Sequence, residues 1–118
     1  NYRRFFNVND LICLRMEDEN VFHHYHKFLF QLLNKNLIQG VRLDHIDGLL
    51  DPTNYLKRLR NYIGEKTYII VEKILKQNEE IPHSWEVDGN TGYDFCGLVN
   101  NLFTYKAYEK VCSEYYQV

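Results

Sequence analysis

Two short runs constrain this chain more than anything else in it: Gly40-Val41-Arg42-Leu43-Asp44-His45-Ile46-Asp47-Gly48 and Tyr68-Ile69-Ile70-Val71-Glu72-Lys73. Each is a brief apolar stretch that ends in a carboxylate, and a helical pattern lies between them. Runs that short, apolar and sharply bounded read as buried strands. With a second helical pattern ahead of the first run, the order is helix–strand–helix–strand, which builds a parallel α/β sheet with right-handed crossovers. The strand ends of such a sheet carry catalytic groups, because the buried strand fixes a side chain that the exit loop leaves open. Asp44 and Glu72 stand at those two ends.

The signals around the runs agree with this order. Asp18 is placed to cap a helix in which Val21, Phe22, Tyr25, Phe28, Leu29, Leu32 and Leu33 recur at three- and four-residue steps, a core-facing stripe. His23, His24 and His26 lie on the same stretch, but no two are four apart, so they read as a solvated face and not as metal ligands. Asn34 to Asn36 ends this helix. Asp51-Pro52 is a helix start, a capping carboxylate followed by proline at the first helical position. Leu56, Leu59 and Ile63 line one side of that helix, and Gly64 closes it. Beyond Glu72, residues 77–83 read as a polar loop with Pro82, and Trp85 follows within it. Gly89 to Phe95 reads as a glycine-flanked turn, Phe95, Leu98, Val99 and Leu102 as the next helix, and Tyr108, Val111, Cys112 and Tyr115 as the last.

Length allows one domain at most, since the chain has 118 residues. A 45% hydrophobic content excludes a disordered tail. The formal charge of −2, with Lys57-Arg58-Leu59-Arg60 as the longest basic cluster, points to neither nucleic acid nor an anionic membrane as partner. No stretch approaches the roughly 18 apolar residues that span a bilayer. Three widely spaced cysteines, Cys13, Cys96 and Cys112, fit reduced thiols in a cytoplasmic protein better than a disulfide framework. Asn1 in place of a start methionine is expected of an N-terminus that is processed or, as favoured here, was set by cloning. Ten tyrosines and seven phenylalanines supply faces that stack on sugar rings, though cores use the same residues.

Side chains on a strand repeat every two residues, so Arg42 and Asp44 share a face. A guanidinium beside a carboxylate favours its ionised form and fixes its rotamer, which gives an aimed nucleophile. Glu72 is framed by Ile69, Ile70, Val71 and Ile74, and burial there would favour the protonated form that a general acid needs. Two carboxylates so divided serve retaining glycoside chemistry. Spacing alone equally allows an Arg–Asp pair that ties a strand end to its loop. Tyr2-Arg3-Arg4-Phe5-Phe6 reads either as a sugar-contacting loop or, as the pattern favours, as a surface segment whose phenylalanines plug a neighbouring core.

The same residues carry a resemblance. Gly40-Val41-Arg42-Leu43-Asp44 resembles the nucleophile strand of the α-amylase family of glycoside hydrolases, and Val71-Glu72-Lys73-Ile74-Leu75 its acid/base strand. Tyr2–Phe6 with Asn9-Asp10-Leu11 and Leu14-Arg15, then Arg42–Leu49, then Val71–Leu75, then Thr91-Gly92-Tyr93-Asp94-Phe95 are similar, in order and spacing, to the trehalose-forming glucosylmutases of that family. Asn90 and Asn7 depart from the pattern, where a threonine and an aspartate are expected.

The resemblance implies a piece of a (β/α)8 barrel, residues 1–118 forming part of its catalytic domain, with two parallel barrel strands that end in Asp44 and Glu72. It implies an isomerase that moves the reducing-end α-1,4 linkage of a maltooligosaccharide to an α,α-1,1 trehalose linkage. Asp44 would be nucleophile and Glu72 general acid/base, with Arg42 orienting the nucleophile. His45, Asp47, Lys73, Tyr93, Asp94, Phe95, Arg3 and Arg4 are the expected substrate contacts, and no metal or cofactor is called for. Such enzymes use a third carboxylate from a His-Asp pair and an Asn-His pair on an earlier strand, and this sequence has neither. An eight-stranded barrel takes about 250 residues. The chain is therefore expected to extend beyond both ends in its parent, to be inactive alone, and to self-associate through exposed strands or domain swapping or else adopt a helix-rich packing. A generic hydrolase fragment and a non-catalytic glycan- or partner-binding module are the alternatives.

Overall fold

In the computed structural model, which describes residues 2–117, a three-stranded parallel sheet carries the two runs. Asn1, which stands in place of a start methionine, lies outside the described residues. The chain opens with a small antiparallel hairpin on the surface, β1 (Arg4–Phe5) and β2 (Val8–Ile12), in the segment read from sequence as a sugar-contacting loop or a surface segment. Helix α1 (Glu19–Asn34) follows, then β3 (Gly40–Leu43), helix α2 (Pro52–Ile63), β4 (Tyr68–Val71), β5 (Gly89–Asn90), helix α3 (Tyr93–Leu102) and helix α4 (Glu109–Tyr116).

The helix ends follow the capping chemistry. The Asp18 carboxylate accepts from the N–H groups of Asn20 (2.9 Å) and Val21 (3.3 Å). Asp51 accepts from Asn54 N–H at 3.0 Å, with Pro52 in the first turn. Gly64 then ends α2 at φ +77°, a conformation that costs other residues a steric penalty.

Strands β3 and β4 pair in register from Gly40 with Tyr68 to Leu43 with Val71. A Cβ on Gly40 would lie 2.9 Å from the Tyr68 carbonyl oxygen, so the close approach that starts this pairing requires glycine there. The third strand went unread in the sequence because it is only two residues long. It is completed by Asp88, whose N–H donates to Ile69 O (2.7 Å) and whose Oδ2 accepts from Ile69 N–H (2.7 Å). Arg60 holds that carboxylate at 3.1 Å and also donates to the carbonyls of Glu86 and Thr67.

The core lies between the sheet and α1–α2. Phe22, Ile46, Leu56, Leu59, Ile69 and Val71 are fully buried or nearly so. Ile46, Leu56 and Val71 form its centre, with Leu43, Leu49, Tyr55, Trp85 and Val87 packed around them. The Trp85 indole N–H donates to Thr53 Oγ1 at 3.1 Å, which fixes the 77–88 loop on α2.

Two expectations need correction. The α1 stripe is only partly core: Phe22 is buried, whereas Tyr25 and Phe28 are exposed. The histidines do not form one solvated face, because His26 is buried against Phe22 and Tyr55 while His24 is exposed. No residue of α3 or α4 is buried, and Phe95, Leu98, Leu102, Phe103, Tyr115 and Tyr116 face outward. The radius of gyration, 19.6 Å, reflects this; a compact domain of this length would have about 13.5 Å. Among the described residues no helix is long and apolar enough to cross a membrane.

Candidate active site

The site is built at the carboxyl edge of the parallel sheet. Asp44 directly follows β3 and Glu72 directly follows β4, and Glu72 N–H donates to Leu43 O at 2.8 Å, so the two exits are locked side by side. Strand alternation decides which way each points. Ile69 and Val71 turn into the helix-covered core. Arg42 and Asp44, and Ile70 and Glu72, take the other face of their strands.

Arg42 and Asp44 meet as their spacing predicts: Arg42 Nε donates to Asp44 Oδ1 at 2.6 Å. Both side chains are more than half exposed, at 54% and 59%, so the pair orients the carboxylate without sequestering it. That hydrogen bond, with the charge of Asp44 behind it, raises the guanidinium above its already high ordinary range, and the nearby Glu72 and Tyr93 add in the same direction. One oxygen of Asp44 is thus held, and Oδ2 has no partner among the described residues.

The apolar frame expected for the Glu72 carboxyl is not what surrounds it. Its Oε2 accepts from the main-chain N–H of His45 at 2.9 Å, and its Oε1 from the Tyr93 hydroxyl at 3.4 Å. Of the four apolar residues of that frame, alternation sends Ile69 and Val71 away from the carboxyl and Ile74 is exposed, which leaves Ile70 alone on its face. Sequence proximity had stood in for spatial proximity.

His45 connects the two carboxylates. It follows Asp44 in the chain, sits in the left-handed region (φ 56°, ψ 42°), and starts the 3₁₀ turn Ile46–Gly48. Its ring contacts the rings of Phe5 (4.8 Å between centroids) and Phe6 (4.6 Å). The hairpin phenylalanines, read from sequence as a sugar-contacting loop or as plugs for a neighbouring core, therefore pack on the His45 ring beside the two carboxylates.

The other expected contacts divide. Tyr93 joins the site through Glu72, while Asp94 and Phe95, on the same first turn of α3, are exposed. Asp47 and Lys73 pair with one another at 3.3 Å, and Lys73 also binds Glu79 at 2.9 Å. These carboxylates, Glu79 foremost, hold the Lys73 ammonium above its ordinary range. Arg4 is engaged by Asn9 within the hairpin, and Arg3 lines a separate groove with Tyr2, Cys13, Leu14 and Leu50.

Beside β3, a cavity of about 400 Å³ brings Arg42, Asp44 and His45 together with His26 and Tyr55. His26 Nδ1 lies 2.8 Å from Phe22 O, so it carries the proton, and Nε2 accepts from the Tyr55 hydroxyl at 2.8 Å. Burial depresses the imidazole below its ordinary value and pushes the Tyr55 phenol up to about 12. Among the described residues no group of three or more His, Cys, Asp or Glu side chains is placed to hold a metal ion.

Comparison with known proteins gives a consistent set of relatives. No family model matches the chain. Two curated proteins of Mycobacterium tuberculosis, strains CDC 1551 and H37Rv, each provisionally named maltooligosyl trehalose synthase, are 46% identical over 93 residues, 79% of this chain. A solved glycosyltrehalose synthase of strain DSM5389 superposes with a TM-score of 0.91 at 45% identity over 99% of this chain. Maltooligosyltrehalose synthase from Arthrobacter ramosus superposes with a TM-score of 0.88 at 39% identity over 93% of it. The chain spans 12% of the length of the curated relatives and 14–16% of these solved chains. It is similar to one segment of maltooligosyltrehalose synthases, a fragment of a larger protein.

Proposed function

We propose that this segment of a maltooligosyltrehalose synthase supplies the nucleophile and the acid/base of an intramolecular transglycosylation. The observation that carries the reading is the paired exit geometry: Asp44 held through one oxygen by Arg42, and Glu72 held through both oxygens on the adjacent strand.

In the first step Asp44 Oδ2 attacks the anomeric carbon of the penultimate glucose of a maltooligosaccharide. The C1–O4 bond breaks, and Glu72 gives its proton to the departing O4. The released reducing-end glucose turns over in the closed site. Glu72 takes the proton of its 1-hydroxyl, that oxygen attacks C1 of the glycosyl ester, and the Asp44 carboxylate leaves. The product is an α,α-1,1 trehalosyl end with net retention. The overall change is an isomerisation, so no oxidant or cofactor enters the balance. Exclusion of water separates this outcome from hydrolysis.

Strands β3 to β5 are, on this reading, consecutive strands of a (β/α)8 barrel, whose catalytic groups sit at the carboxyl ends. Residues 1–118 are one part of that catalytic domain. The third carboxylate comes from elsewhere in the parent, and the isolated chain is inactive and self-associating.

The test is maltopentaose turnover by the full-length protein that carries this chain. Glu72→Gln is expected to cut formation of the non-reducing product about 10²- to 10⁴-fold, and Asp44→Asn at least as much, with folding intact. Near-normal turnover by either variant would overturn the assignment of that residue.

A further inference from the structure

Gly48 stands three residues beyond His45 at the end of the 3₁₀ turn and packs against its imidazole. A Cβ built on Gly48 would lie 2.2 Å from His45 Cδ2 and 2.4 Å from Nε2, far inside contact distance. The ring that such a Cβ would strike is also in contact with the rings of Phe5 and Phe6. Phe5 is half-buried and Phe6 is exposed, so Phe5 is the better anchored of the two rings on His45. The backbone of His45 is in the left-handed region, and the His45 main-chain N–H is one of the two donors on the Glu72 carboxylate.

From these contacts we infer that Gly48, Phe5 and Phe6 are positioning residues: they wedge the His45 ring so that its main-chain N–H holds Glu72 in place. The inference rests on Glu72 being the acid/base. It extends that reading, because it makes the amino-terminal hairpin part of the acid/base machinery. None of the three residues touches the reacting atoms. Each acts through His45. Moving a hydrogen-bond donor by a fraction of an ångström misaims the carboxyl relative to the departing oxygen. Geometric errors of that size are felt in turnover more than in substrate binding.

The experiment is a double-substitution cycle in the full-length protein, read as kcat and KM for maltopentaose, with Glu72→Gln alongside. Gly48→Ala is expected to lower kcat about tenfold or more with KM changed less than about twofold. In a His45→Ala background, which keeps the main-chain N–H but removes the ring, Gly48→Ala is expected to have little further effect. A general need for glycine in the turn would give the same loss in both backgrounds, and that result overturns the inference. Phe6→Leu is expected to retain activity that Phe6→Ala loses; equal activity of the two would also count against the wedge. If wild type turns over and Glu72→Gln remains active, the acid/base reading itself has failed. If Glu72→Gln is inactive and Gly48→Ala is normal, only the wedge has failed.

Discussion

Single residues explain why the site is open on one side and rigid on the other. Arg42 and Asp44 hold each other in solvent, where a carboxylate can reach a substrate, and their shared face followed directly from a two-residue spacing. His26 is the reverse case. Its ring is buried in neutral form between Phe22 O and Tyr55, a position that helical periodicity could not reveal because the partner lies 29 residues away. Burial lowers its affinity for protons in the folded state, so the unfolded chain binds more protons below its ordinary value of 6.5. The sign follows: the contribution of His26 to stability is complete above about 6.5 and is lost as pH falls below it. Hydrogen-exchange protection of α1 amides in the full-length protein, corrected for intrinsic rates, should decline across that window, and His26→Gln should flatten the decline. Tyr55→Phe leaves buried Nε2 without a donor and is expected to cost about 1–3 kcal/mol of stability, measured by urea unfolding.

At the scale of elements, caps and strands were legible wherever a local rule governs them. Asp18, Asp51-Pro52 and Gly64 mark helix ends through hydrogen bonds and dihedrals that depend on a few consecutive residues. The two-residue strand β5 and the hairpin β1–β2 were not legible, because each is defined by what it pairs with and has no periodicity of its own. Asp88 shows the consequence. A charged residue in a polar stretch carried no strand signal, yet its carboxylate satisfies the N–H of fully buried Ile69 and is tied by Arg60 to the end of α2. The Ile69 main-chain bond, and then Arg60, hold that carboxyl below its usual range. Asp88→Ala should expose that donor and destabilise the protein by about 1–3 kcal/mol, and Asp88→Asn by less. Leu59→Ala, which empties a fully buried site between α2 and the sheet, should cost about 2–5 kcal/mol. Urea titration of the full-length variants reads both.

At the largest scale the molecule is a three-stranded sheet with two open edges, packed by α1 and α2, and a further pair of helices, α3 and α4, in which no residue is buried. Large apolar side chains along 95–116 are exposed, and the mass is spread over 60 × 37 × 25 Å. Hydrophobic stabilisation scales with area removed from water, so α3 and α4 contribute little on their own. The α/β order was legible from two strand-like runs and a capped helix, whereas the exposure of the carboxyl-terminal stripes was not, since periodicity reports an apolar face without saying what covers it. In the isolated chain, amides of β3, α2 and β4 should show hydrogen-exchange protection while those of α3 and α4 exchange freely; equal protection throughout would mean that the helices find partners within this chain or between copies of it. Light scattering on the same sample should show concentration-dependent association, and a strict monomer at all concentrations would remove self-pairing. The central claim, that Asp44 attacks the sugar and Glu72 serves the departing oxygen, is tested most directly by trapping. Full-length protein treated with 5-fluoro-α-glucosyl fluoride and digested should yield a glycosylated peptide whose label maps by mass spectrometry to Asp44 and is absent from Asp44→Asn. A label on another carboxylate, with Asp44→Asn still labelled, would contradict the account.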